Sequence, residues 1–113
     1  MIDAEHLARL PARSEKGLLH AFIECPKGNT HKIDLDKKLG IFRWAIELPQ
    51  GLAFPANFGF IPATMAEDGD ALDVMVLTGG PLPSGTLVDV RPVAILRMEQ
   101  EEHGEMVPND RLV

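Results

Sequence analysis

Polar and apolar side chains alternate most regularly in His31-Lys32-Ile33-Asp34-Leu35-Asp36. A period of two is that of a half-buried strand. Ile33 and Leu35 then face inward, and Lys32, Asp34 and Asp36 share the opposite face. Lys37-Lys38-Leu39-Gly40 reads as a turn, and Ile41-Phe42-Arg43-Trp44-Ala45-Ile46 returns as the second arm of a hairpin. Upstream, Leu18–Glu24 reads as a strand that ends at the turn residues Pro26-Lys27-Gly28-Asn29. Asp3–Arg9 is long enough for one short helical turn with Asp3 as its cap, and Pro11 stops it.

Downstream, Leu48–Ala66 is a 19-residue run without charge. That length raises the question of a membrane span. Pro49, Gly51, Pro55, Gly59 and Pro62 interrupt it too often for a regular helix. It reads as apolar core loops and short strands. Asp73–Leu77 follows as a strand, Thr78–Gly85 as a loop, and Thr86–Arg91 and Val93–Met98 as strands punctuated by Pro92. Glu99-Gln100-Glu101-Glu102-His103-Gly104 reads as a charged, exposed hairpin loop, and Asn109–Val113 as the opening of another strand. Many short strands with Gly/Pro turns predict a small, mainly antiparallel β-barrel. The last strand is cut short, which leaves an unpaired edge.

The chain has 113 residues, enough for one domain over 1–113, with 1–16 as an N-terminal extension. Its 45% apolar and 25% charged residues are those of a soluble globular protein. Seventeen acidic residues against 11 basic ones give a net charge of -6. That balance argues against a nucleic-acid partner and suits metal cations. Cys25 is the only cysteine, so no disulfide forms within the chain, and a reducing compartment is expected. It reads as a small buried apolar residue, with no base beside it. The first residues carry no signal pattern. A cytoplasmic protein without a membrane partner is the expectation.

The chemistry concentrates in Glu67-Asp68-Gly69-Asp70-Ala71-Leu72-Asp73-Val74, with four acidic side chains in eight residues. Two carboxylates about 4 Å apart repel by roughly 4 kcal/mol at an effective dielectric near 20. If they converge, a shared proton or a cation must neutralise them; if they diverge, the stretch is a solvated turn. A calcium loop fails, because Ala71 and Leu72 intervene where a third acidic or amide residue and then Gly are needed, and the twelfth residue from Asp68 is Gly79. An Asp-Gly turn accounts for Asp68-Gly69 but not for Asp73, at the mouth of an apolar strand. Oxygen donors without His or Cys favour Mg²⁺, with Mn²⁺ as the alternative, over Zn²⁺.

Asp68-Gly69-Asp70-Ala71-Leu72-Asp73-Val74 resembles the signature of the soluble, single-domain, Mg²⁺-dependent inorganic pyrophosphatases, which usually has Pro at the place of Ala71. Pro55–Pro62, Ile23–Asn29 with Lys32, Leu39–Phe42, Arg91-Pro92-Val93 and Asn109–Val113 resemble further family segments in order. The resemblance covers the chain from Leu18 onward. It implies an OB-like barrel with long loops, without the family's C-terminal helical part, and a homo-oligomer. It implies Mg²⁺-dependent hydrolysis of pyrophosphate, with Asp68 and Asp73 holding metal. Asp70 would assist deprotonation of the nucleophile and also contact metal. Glu24 would bind metal through water, and Lys32 would bind phosphate. Asp34 lies on the face of Lys32, where the family is also acidic.

The chain departs from that pattern in its phosphate-binding shell. Where the family has an active-site Arg before the Leu-Pro corresponding to Leu48-Pro49, this chain has Ile46. Arg43 lies three residues earlier, an odd offset that faces the other way unless a bulge intervenes. Phe54 and Phe58 stand where the family has Tyr. Asn109 replaces an acidic metal ligand, and Arg111 stands at the place of a substrate-binding Lys. Losing several charge-stabilising donors lowers the expected rate by orders of magnitude. The alternative is a relative that binds metal, phosphate or a protein partner without turnover.

Overall fold

The computed structural model describes residues 3–64, 71–93, 95–96, 99–102, 105–108 and 111–112. In chain order these form α1 (Ala4–Arg9), β1 (Leu19–Cys25), β2 (His31–Asp36), β3 (Ile41–Glu47), β4 (Asn57–Ile61), β5 (Leu72–Val76), β6 (Leu87–Val90), β7 (Ile95–Leu96), β8 (Glu99–Glu102), β9 (Glu105–Pro108) and β10 (Arg111–Leu112). The main sheet runs β6-β1-β4-β5-β10-β7, and β2-β3 and β8-β9 form two separate two-stranded sheets. Pairing is antiparallel except between β10 and β5. The fold is thus mainly β, as the alternation predicts. The described strands form an open sheet flanked by hairpins and do not close into a barrel.

The expected hairpin over 31–46 is present, with Asp36 opposite Ile41 and Leu35 opposite Phe42. Gly40 closes its turn at φ 67, a backbone conformation that a side chain disfavours. The cap at Asp3 is also present: its carboxylate accepts the N–H groups of Glu5 and His6. Glu99–Glu102 differs from the expected loop. It is a strand arm paired antiparallel with Glu105–Pro108 in a two-stranded sheet of its own.

Alternation on β1, β4 and β5 gives the sheet two faces. Ala21, Ile23, Ile61, Val74 and Val76 pack together on one. Phe22 and Phe60 belong to the second cluster, completed by Leu7 of α1 and Leu35 of β2. Phe42 stacks on Phe22 with ring centroids 6.1 Å apart, which fastens the β2-β3 hairpin over this second face. Burying an apolar side chain of this size contributes about 1.5–3 kcal/mol. Residues 4–12 are not a loose tail: Leu7 is buried, and Ala12 accepts a backbone bond from His20 at 2.8 Å.

Gly59 lets β4 approach β1 closely. A Cβ there would lie 1.9 Å from the Phe22 carbonyl oxygen. Beside it, the buried Asn57 has all its polar atoms bonded. Its Oδ1 accepts the N–H groups of Lys27 and Leu82, and its Nδ2 donates to the Val76 carbonyl and to Thr78 Oγ1. This single side chain ties the 26–29 turn and the 78–82 loop to the ends of β4 and β5.

Candidate active site

Three carboxylates converge between the main sheet and the hairpin: Glu24 from β1, Asp34 from β2 and Asp73 from β5. All three line a cavity of about 410 Å³ and a second of about 70 Å³. Their positions follow from local structure. Asp73 stands opposite Phe60, on the sheet face that the hairpin covers. Ile23 opposes Gly59 and Cys25 opposes Phe58, so Glu24 is the extra residue of a β-bulge. A bulge re-aims a side chain, and Glu24 Oε2 reaches across to accept the Leu35 N–H at 2.8 Å.

Burial pushes the Glu24 carboxyl up from 4.5 to about 7. The Leu35 hydrogen bond opposes that shift, Asp34 and Asp73 add to it, and Lys37 opposes it. Three carboxylates brought to one place in this way offer a site for positive charge. The oxygen-only donors suit a hard divalent cation. Among the described residues, no three His, Cys, Asp or Glu side chains are gathered closely enough to hold a metal by themselves. Asp68 and Asp70, the other expected ligands, lie outside the described residues.

Lys32 joins the smaller cavity, and its Nζ lies 3.9 Å from Asp34 Oδ2 with both side chains about half exposed (47% and 48%). An ion pair so exposed is weak, so the ammonium is available to an anion. The register places Ile46 opposite Lys32 and Arg43 opposite Asp34, with Ala45 bulged between Trp44 and Ile46. This bulge brings Arg43 onto the face of Lys32 despite the odd offset. Its guanidinium is engaged there, 3.1 Å from Asp36 Oδ2. Phe54 and Phe58 meet edge to face at 4.9 Å beside the smaller cavity. They wall it without a hydroxyl donor. Arg111 lies in β10, adjacent to β5, which carries Asp73.

Cys25 is buried, its thiol is pushed up chiefly by burial, and it donates to the His31 carbonyl. It is an inert core residue, as its sequence context indicates. Sequence reasoning missed Lys37 and Lys38, which line the larger cavity together with the carboxylates. Their signal was adjacent cations at the end of an otherwise acidic strand face, read only as turn chemistry. No described helix is long and apolar enough to cross a membrane.

Residues 21–107 match the inorganic pyrophosphatase family profile. The inorganic pyrophosphatase of Thermus thermophilus is 43% identical over 88 residues, covering 78% of this chain and 50% of the relative. That of Sulfolobus acidocaldarius is 35% identical over 105 residues, covering 89% of this chain and 61% of the relative. The crystal structure of the Thermus thermophilus protein superposes with a TM-score of 0.78 at 36% identity, over 94% of this chain and 60% of the other. The structure from Coxiella burnetii gives 0.75 at 34% identity, over 91% and 60%. The chain therefore spans between half and about three-fifths of the length of these relatives.

Proposed function

The chain belongs to the inorganic pyrophosphatase family, and from that premise we propose that it hydrolyses pyrophosphate to two phosphates with a divalent cation, Mg²⁺ or alternatively Mn²⁺. The observation that carries this reading is the meeting of Glu24, Asp34 and Asp73 at two adjoining cavities, one of which includes Lys32. Asp68 and Asp73 would hold the cation with Asp70, and Glu24 would be an outer contact. A cation held there supplies charge against the phosphate oxygens and makes water more acidic. Asp70 takes the proton of the attacking water. The water oxygen bonds to one phosphorus, the bridging P–O bond breaks, and the second phosphate leaves with the bridging oxygen. Lys32 and Arg111 hold phosphoryl oxygens, Lys32 from the edge of the smaller cavity.

A cytoplasmic location and a homo-oligomeric state belong to the same proposal. The lone buried Cys25 supports the first. Exposed Trp44, Leu77 and Val93 support the second. Sedimentation of the purified chain reads the oligomeric state.

A second reading, binding of metal or phosphate without turnover, is favoured by Ile46 opposite Lys32 and by the Phe54–Phe58 wall. Phosphate release from pyrophosphate, with Mg²⁺ and with chelator, separates the two. Metal-dependent release that is lost in Asp70→Asn is the expected result. A folded chain that binds pyrophosphate in a calorimeter yet releases no phosphate would establish the second reading instead.

A further inference from the structure

The larger cavity carries two cations that no role above uses. Lys37 and Lys38 line it beside Glu24, Asp34, Asp36 and Asp73. Yet among the described residues neither lysine has a carboxylate oxygen within ion-pairing reach. Asp36 is committed elsewhere: its Oδ2 takes Arg43, and its Oδ1 accepts the N–H groups of Lys38 and Leu39, each at 3.0 Å. Those bonds, with Gly40 N–H donating to the Asp36 carbonyl at 2.8 Å, fix the backbone that carries both lysines. Lys37 Nζ lies 5.3 Å over the Phe60 ring, which steers it toward the cavity wall. The three carboxylates common to both cavities thus have Lys32 on one side and Lys37 with Lys38 on the other.

A diphosphate has two anionic ends, and this site offers a cation at each side of its acidic centre. Resting on the pyrophosphatase reading, we propose that Lys37 and Lys38 bind one phosphoryl group of the diphosphate at the wide cavity while Lys32 binds the other. They take over charge that the chain lacks at Ile46. An ammonium on a preformed turn adds a point charge to a phosphate without needing a bidentate fork.

The test uses the full chain with methylenediphosphonate and Mg²⁺ in a calorimeter, beside phosphate release from pyrophosphate. Circular dichroism confirms that each variant is folded. The double variant Lys37→Ala/Lys38→Ala should raise the diphosphonate Kd and the KM by about tenfold, while kcat stays within about twofold. The double variant Lys37→Arg/Lys38→Arg should restore binding to within about threefold, because it keeps both charges. Lys16→Ala, in an exposed turn outside both cavities, should change neither constant. Wild-type hydrolysis with Kd and KM unchanged by loss of the lysines would overturn this proposal and leave the hydrolytic reading intact. Lysine-dependent diphosphonate binding without phosphate release would do the reverse. A wild-type chain that does not bind the diphosphonate would overturn both.

Discussion

Glu24 Oε2 accepts the Leu35 N–H at 2.8 Å, linking the bulge of β1 to β2. This carboxyl titrates near 7 in the fold against an ordinary 4.5, mainly because it is buried. Between those values the folded chain keeps a proton that the unfolded chain has lost. Its contribution to stability is fully present below about pH 4.5 and is lost as pH rises through 7. In chelator, urea unfolding at about pH 5 and about pH 8 should differ by roughly 2–3 kcal/mol from this group alone. Glu24→Gln cannot ionise and should lack that part of the slope. Identical pH slopes in the two proteins would show that Glu24 is not held in this environment. Added Mg²⁺ should raise the midpoint more at the higher pH, where the carboxylates are charged.

Gly59 and the Phe22 carbonyl make a sharper steric prediction. A Cβ 1.9 Å from a backbone oxygen cannot be absorbed by a side-chain rotation. Gly59→Ala must push β4 away from β1 through the middle of the sheet. Overpacking of this kind costs about 3 kcal/mol or more, a large share of the stability of a small domain. Thermal unfolding should show a fall of at least about 10 °C. Gly79→Ala, where an added Cβ meets nothing within 4 Å, is the matched control and should melt with the wild type.

Asn57 is stabilising because it is buried and every polar atom is bonded. Asn57→Ala leaves the Lys27 and Leu82 N–H groups without their acceptor. The expected loss is about 3 kcal/mol, since stranded donors cost more than the bonds themselves contribute. Hydrogen exchange should speed up first at Lys27 and Leu82. Uniform acceleration across β1 and β4 instead would mean that Asn57 supports the sheet and not these loops.

What the sequence revealed depended on regularity. The hairpin over 31–46 was legible because alternation, a Gly-closed turn and a returning apolar arm agreed. The cap at Asp3 was legible because capping is local. The two bulges, at Glu24 and Ala45, were not. A period-two reading assumes one residue opposite one residue, and a bulge breaks that count without leaving a mark in composition. Both bulges lie at the candidate site, where they aim Glu24 at Leu35 and bring Arg43 round to the face of Lys32. The parallel pairing of β10 with β5 was also hidden, because a long-range pairing has no local signature. Glu24, Lys32 and Asp73 were picked out through ordered motifs, and all three line the smaller cavity. Lys37 and Lys38 were passed over, because turn lysines are usually solvated and only the fold shows which cavity they line.

The last prediction turns on Ile46, which stands opposite Lys32 and is 52% exposed. An apolar side chain there adds little to the core, so replacing it should cost little stability. The pattern that the chain resembles has an active-site Arg at this place, whereas Arg43 stands opposite Asp34 with its guanidinium 3.1 Å from Asp36 Oδ2. Ile46→Arg would set a guanidinium beside Lys32 on the phosphate-facing side. One charge-stabilising donor at a developing anion is worth a few kcal/mol. Even a third of that raises kcat/KM by about tenfold. The readout is phosphate release by Ile46→Arg against wild type under saturating Mg²⁺, with Ile46→Gln to separate charge from size. A gain in Arg but not in Gln would mean that pyrophosphate reaches the Lys32 side of the carboxylate centre and that the missing shell is a matter of charge. If neither variant differs from wild type, the anion does not bind along the Lys32–Ile46 pair, and the acidic centre would have to act through the Lys37–Lys38 side alone.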